Sequence, residues 1–342
     1  MPLVHLVDVE PVIAADELIA GLVPPPRFDA VRFETYRPDP AEPSQAAAVQ
    51  ILRAFAAEVA APPPKAKWFR RSATRPPATG VYLDGGFGVG KTHLLASLWH
   101  AVPGPKAYGT FGEITQLVGM LGFTATVERL SGHRLLAVDE FELDDPGDTT
   151  LMSRLLTQLA DAGVHLAATS NTLPEKLGEG RFAADDFRRE IQALSAKFRT
   201  LRVDGPDYRH RGLPEPPPPV ADEELRHRAE QAAAGSQPVS LDGFDPLCAK
   251  LARLHPSTYG RFLDSDHVGA VFISGVHPAP DQAVALRLVT LIDRLYDRSI
   301  PVQASGGSLG ELFTHEMLRG GYRKKYLRAT SRVLALSRDD PS

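Results

Sequence analysis

Val81-Tyr82-Leu83-Asp84-Gly85-Gly86-Phe87-Gly88-Val89-Gly90-Lys91-Thr92-His93-Leu94-Leu95 is the stretch that decides the fold. An apolar, strand-like run leads into a glycine-rich turn, and the turn into a helical pattern carried by Leu94, Leu95 and Leu98. Gly85 and Gly90, followed by Lys91 and Thr92, form the pattern of a loop that wraps phosphate groups. Phosphate oxygens have to be met by bare backbone N–H groups, and glycines permit that approach because they lack a Cβ and tolerate positive φ. The positive end of the following helix dipole faces the same anion. Residues Gly85, Gly86, Phe87, Gly88, Val89, Gly90, Lys91 and Thr92 are therefore the candidate nucleotide-binding set. Lys91 would reach the β- and γ-phosphates, and Thr92 would hold Mg2+ through its hydroxyl.

Working outward, apolar runs at 80–84, 106–111, 134–139, 164–169 and 200–203 alternate with helical patterns. Five short apolar runs separated by helices imply a buried parallel sheet, a doubly wound α/β domain of the P-loop NTPase class. The run Leu135-Leu136-Ala137-Val138 ends in Asp139-Glu140, at the strand end that lines the crevice of such sheets. Asp139 would orient the Mg2+ waters, and Glu140 would be the base that polarises an attacking water. The next run ends Thr169-Ser170-Asn171. The Asn171 amide can both accept and donate, which suits it either to the γ-phosphate and the lytic water or to a turn before Pro174. Arg181, Arg188, Arg189 and Arg199 follow, any of which could serve a neighbouring subunit's site or form a surface ion pair. His93 reads as a packing or capping residue, and His210 as part of a solvated basic turn. Together these residues predict a Mg2+-dependent ATPase.

The rest of the chain sets limits. It has 342 residues, 43% of them apolar and 23% charged, which fits about two structural units in a soluble globular protein. With 38 basic against 42 acidic residues the formal charge is -4, so there is no general electrostatic reason to bind nucleic acid or anionic lipid. The single cysteine, Cys248, excludes an internal disulfide and fits a reducing compartment. Asp8 and Glu10 stand where a secretory signal carries cations before an apolar run. The most apolar windows, such as 46–61 with Arg53 and Glu58 inside it, fall short of a spanning segment. The expectation is a cytoplasmic protein with no integral membrane segment.

Four regions follow from composition. Residues 1–78 comprise a proline-rich arm, an amphipathic helix at 45–59 and a basic loop at 62–77. That loop carries Lys65, Lys67, Arg70, Arg71 and Arg75 beside Trp68 and Phe69. Such a mixture could grip a single-stranded nucleic acid by stacking and phosphate contact; the plainer reading is a solvated loop with two anchoring aromatics. Residues 79–211 form the ATPase domain, and 212–240 a linker containing Pro214 and Pro216 to Pro219, which is stiff and extended, with a polar helix at 221–234. Residues 241–337 form a smaller C-terminal α/β region with a helix near 246–254, strands at 268–276 and 300–304, and a helix at 281–296 between those strands. Composition alone leaves open whether these strands join the first sheet.

The order of Gly85 to Thr92, Asp139-Glu140-Phe141, Gly163-Val164 through Thr169-Ser170-Asn171, Leu177-Gly178 with Arg181, and Asp204-Gly205 with Asp207-Tyr208-Arg209 resembles the ZapE family. These are AAA+ ATPases tied to bacterial cell division, with mitochondrial relatives linked to protein quality control. The first two motifs are common to very many NTPases, and Asp207-Tyr208-Arg209 at its distance from Asn171 is the discriminating part. The resemblance implies ATP-dependent remodelling of a protein partner, in bacteria the tubulin-like division protein FtsZ, by a homo-oligomer. It places Arg181 at the family's intersubunit arginine. The stretch 181–191 is longer than the family pattern, so Arg188 stays an alternative. A different class, a DNA-linked helicase loader, shares the pattern Gly90-Lys91-Thr92-His93-Leu94-Leu95.

Overall fold

The computed structural model describes residues 3–10, 15–61, 80–86, 88–141, 146–172, 192, 195–205, 218–235, 238–254, 258–264 and 268–338. In chain order the regular elements are β1 (Leu3–Val4), α1 (Ala15–Ala20), α2 (Pro43–Ala60), β2 (Gly80–Gly85), α3 (Lys91–Ala101), β3 (Lys106–Thr110), α4 (Phe111–Leu121), α5 (Phe123–Leu130) and β4 (Leu135–Asp139). They continue with α6 (Pro146–Asp161), β5 (His165–Ser170), β6 (Phe198–Val203), α7 (Asp222–Ala233), β7 (Val239–Gly243), α8 (Phe244–Arg253), α9 (Tyr259–Asp264), β8 (Ala270–Val276), α10 (Gln282–Asp297), β9 (Val302–Gly306) and α11 (Arg323–Leu336). The chain divides into two compact units. One is Ala14–Pro24 with Phe28–Arg211, and the other is Met1–Ile13 and Pro25–Arg27 with Gly212–Ser342.

In the first unit five parallel strands run in the order β3-β4-β5-β2-β6. The inner strands β2, β4 and β5 are buried almost throughout because both faces are covered, whereas the edge strand β6 leaves Arg199, Thr200 and Arg202 exposed. On one face Tyr82, Ala107, Leu136, Val138, Leu166 and Ala168 pack against α4, α5 and α6; on the other Val81, Leu83, Tyr108, Leu135, Ala137 and Ala167 pack against α2 and α3. Side chains alternate faces along a strand, so the odd positions of β4 and β5 look toward α3. Local signals place the helices. Pro43 opens α2, where its missing N–H is harmless, and Ala48, Leu52, Phe55, Ala56 and Val59 form its buried stripe. Thr110 and Glu113 cap α4 reciprocally, Thr110 N–H donating to Glu113 Oε2 at 2.7 Å.

The second unit has a sheet of its own, β1-β7-β8-β9, again parallel throughout. The C-terminal strands are therefore separate from the first sheet. Helix α7 covers one face through Leu225, Ala229 and Ala233. Helices α8 to α11 cover the other, where Leu247, Leu251, Leu288, Leu291, Ile292, Tyr326 and Val333 are buried. Two strands here escape the sequence reading. In β7 the polar Asp242 interrupts the apolar pattern; it is 3% exposed and accepts from the N–H groups of Leu6 at 3.1 Å and Val7 at 3.2 Å. Strand β1 is too short to show a period, and its partner β7 is far away in the chain, Leu3 standing opposite Val239. Residues 3–10, read as part of an arm, thus supply a strand and the buried Leu6 to this unit.

Candidate active site

The glycine loop joins β2 to α3. Gly88 and Gly90 have φ of 70° and 89°, the left-handed region that glycine enters without steric penalty. Gly85 is fixed by a different constraint, since a Cβ there would stand 2.1 Å from the Val203 carbonyl oxygen. A Cβ on Gly90 would meet the Tyr36 ring at 2.7 Å, and the Tyr36 hydroxyl donates to Val89 O at 2.9 Å. Beside it, His93 Nε2 lies 2.9 Å from Thr35 Oγ1 and 3.3 Å from Arg32 O, and burial holds its pKa below the ordinary value. His93 therefore packs the 32–36 segment against α3.

Lys91 is buried, and its ammonium donates to Gly85 O at 2.9 Å, Gly86 O at 2.5 Å and Asn171 Oδ1 at 2.9 Å. A buried cation needs such acceptors. Asn171 reaches it because β5 lies between β2 and β4, so the residue after β5 stands between the loop and the acid strand. The turn there is held by Tyr82, whose hydroxyl donates to Thr172 O at 2.8 Å.

Asp139 ends β4 and is 5% exposed. Its Oδ1 accepts from Thr92 Oγ1 at 3.3 Å, from the Glu140 N–H at 3.1 Å and from the Thr169 hydroxyl; Tyr108 donates to Oδ2 at 2.9 Å. Burial pushes the Asp139 carboxyl above its ordinary pKa, the Glu140 charge adds to this, and the Thr169, Tyr108 and Thr92 hydroxyls oppose it. Glu140 has φ of 54°, uncommon for a residue with a Cβ. Its N–H is also 3.1 Å from Thr169 Oγ1, and Phe141 N–H donates to Thr169 O at 2.7 Å. Phe141 is fully buried against Tyr82 and Phe111, which anchors the turn from below.

The structure thus brings together Gly85, Gly86, Gly88, Val89, Gly90, Lys91, Thr92, Asp139, Glu140 and Asn171. Phe87, Arg181, Arg188, Arg189, the basic loop 62–77, Asp207-Tyr208-Arg209 and His210 lie outside the described residues. Arg199 is exposed on β6 opposite Val81, at the end of the sheet away from the loop. Sequence reasoning passed over Tyr36, Tyr108 and the side chain of Thr169. The signal for the last two was parity: Tyr108 and Thr169 are hydroxyl residues within buried apolar runs, and they face the same side as Asp139.

With this geometry in place, the comparisons with known proteins carry weight. A family model described as AFG1-like ATPase matches residues 17–218 and 216–341. The chain belongs to the AFG1-like ATPase family. Cell division protein ZapE of Escherichia coli (strain K12) is 24% identical over 313 residues, spanning 80% of this chain and 82% of that protein. An uncharacterised protein of Schizosaccharomyces pombe is 28% identical over 155 residues, or 38% of this chain and 33% of that one. The crystal structure of domain III of the Thermotoga maritima replication initiation protein DnaA overlaps 62% of this chain and 77% of its own at 20% identity, with a TM-score of 0.37. That overlap is too loose to argue from. As an AFG1-like ATPase the chain binds nucleotide and hydrolyses ATP. No helix among its described residues is long and apolar enough to cross a membrane.

Proposed function

We propose that this AFG1-like ATPase hydrolyses Mg2+-ATP at the Lys91–Asp139 site and uses the cycle to remodel a protein partner, with a role in cell division and FtsZ as the partner. One observation carries the chemical part. At the mouth of a phosphate-type loop Lys91 bonds Asn171, and beside that pair Thr92 and Thr169 both donate to Asp139. Lys91 would exchange its loop carbonyl contacts for phosphate oxygens, and Asn171 would hold the ammonium on the side of the γ-phosphate. Glu140 would take the proton of the attacking water, aimed by its left-handed backbone. Thr92 and Asp139 offer only hard oxygens, the donor set that Mg2+ prefers when phosphates and waters complete its shell. They would hold it beside the phosphates, where it would supply positive charge to offset the charge of the transferring group.

The partner and the assembly rest on kinship. The E. coli relative of similar length is named a cell division protein, and an AAA+ resemblance implies a homo-oligomer with an arginine offered in trans, Arg181 or Arg188. The test is co-sedimentation of a Glu140→Gln trap form with purified FtsZ polymers. Retention in ATP and release in ADP is expected. No retention in either state, with turnover stimulated by single-stranded DNA instead, would replace the protein partner with a nucleic acid.

A further inference from the structure

We infer that Tyr108 and Thr169 are positioning residues that divide the control of the two acids between them: Tyr108 sets the metal-facing carboxylate of Asp139, and Thr169 sets the direction of Glu140. The inference rests on the hydrolytic reading above. Tyr108 is 2% exposed on β3 and is the described donor to Asp139 Oδ2. The other contacts of that carboxylate, from Thr92, Thr169 and the Glu140 N–H, all fall on Oδ1. Tyr108 therefore fixes the rotation of the carboxylate about its own bond, and with it the lone pairs left beside Thr92. Its register partner on β4 is Ala137, small enough to leave the ring a path toward Asp139, two residues further along the same face.

Thr169 acts on a different atom. Its hydroxyl touches Asp139 Oδ1 and lies 3.1 Å from the Glu140 N–H, while its carbonyl accepts from Phe141 N–H. It brackets Glu140 on both sides and holds the residue at its φ of 54°. A residue held in a sparsely populated backbone region persists only where its surroundings over-determine it. Thr169 provides two of those contacts, and the Asp139 carboxylate another through its bond to the Glu140 N–H.

The two roles separate experimentally. Tyr108→Phe keeps the ring and the Tyr108 N–H bond to Leu22 O, and removes only the hydroxyl. We expect it to raise the Mg2+ concentration giving half-maximal turnover by about 10-fold or more, the weight of a hydrogen bond to a charged group. ATP affinity measured by calorimetry in EDTA should stay that of the wild type, and turnover at saturating Mg2+ should nearly recover. Thr169→Val should lower turnover by about 10-fold or more even at saturating Mg2+, and Thr169→Ser should restore it. Wild-type Mg2+ dependence in Tyr108→Phe would overturn the inference. So would uniform losses in every variant that simply track a lowered thermal midpoint. Tyr108→Phe decides the Asp139 half even if Thr169→Val loses stability, and Thr169→Ser, which keeps the hydroxyl, decides the Glu140 half: turnover well below wild type in that variant would overturn it. Glu140→Gln, run alongside, reports on the hydrolytic reading itself: if it is inactive while Tyr108→Phe and Thr169→Val behave as wild type, the inference fails and the reading stands.

Discussion

At Gly90 two constraints meet, and either alone would require glycine. The left-handed φ of 89° costs a residue with a Cβ about 1–2 kcal/mol, and the Tyr36 ring occupies the place of the missing Cβ. Gly90→Ala should lower the thermal midpoint and weaken ATP binding, both measurable by thermal shift with and without nucleotide. Adding Tyr36→Ala should recover the steric part and leave the backbone part. The glycines, Lys91 and the acid pair were legible in the sequence because each is required by a backbone or charge constraint that few other residues satisfy. Tyr108 and Thr169 were not, because a hydroxyl in a strand looks like an ordinary strand residue until the register shows what stands opposite. A further prediction lies at Cys248, whose thiol burial pushes up to about 11. A thiol so held is a poor nucleophile. Iodoacetamide should leave it unmodified in the folded protein and alkylate it after denaturation, as read by mass spectrometry.

At the scale of elements, the alternation of strand faces does most of the positioning. Because odd positions of β4 and β5 face α3, Asp139 and Thr169 arrive at Thr92 with no special loop. The strands of the first sheet were readable as apolar runs, and so was the place of β5 beside the acid strand β4; the rest of their order was not. Nothing in the sequence of β5 says that its other neighbour is β2, and that placement brings Asn171 to Lys91. In the second unit β7 was hidden by Asp242, whose charge is reconciled with the interior only by backbone donors from a segment more than 200 residues away in the chain.

The pairing of α10 with α11 in that unit turns on Asp293, which accepts from Arg328 at 2.7 Å and Arg332 at 2.5 Å. Burial on its own would raise this carboxyl, but the two guanidiniums outweigh it and hold the pKa below the ordinary value. A lowered folded-state pKa contributes stability above the unfolded value of about 3.9 and loses it as the pH falls through that value toward the folded one. The protection of α10 and α11 amides against hydrogen exchange, relative to the unfolded chain at the same pH, should therefore fall below about pH 4. Asp293→Asn should destabilise this unit at pH 7 by about 3–5 kcal/mol, as breaking one side of a buried ion pair does, and should flatten its acid dependence. An unchanged exchange rate at pH 7 would mean that the pair adds nothing.

At the scale of the molecule, the chain builds two parallel sheets, each clothed by helices on both faces, and concentrates its recognised chemistry at the strand ends of the first. The overall charge of -4 gives no broad field for polyanions, so partner recognition falls to local surfaces. The claim on which everything else depends is that one site both seats ATP on the Gly85–Thr92 loop and hydrolyses it through Glu140. Its most direct test pairs calorimetric ATP binding with steady-state phosphate release for the wild type and Glu140→Gln. The account predicts unchanged affinity and turnover reduced by about 10²-fold or more, the usual weight of a general base; wild-type turnover in Glu140→Gln would contradict it.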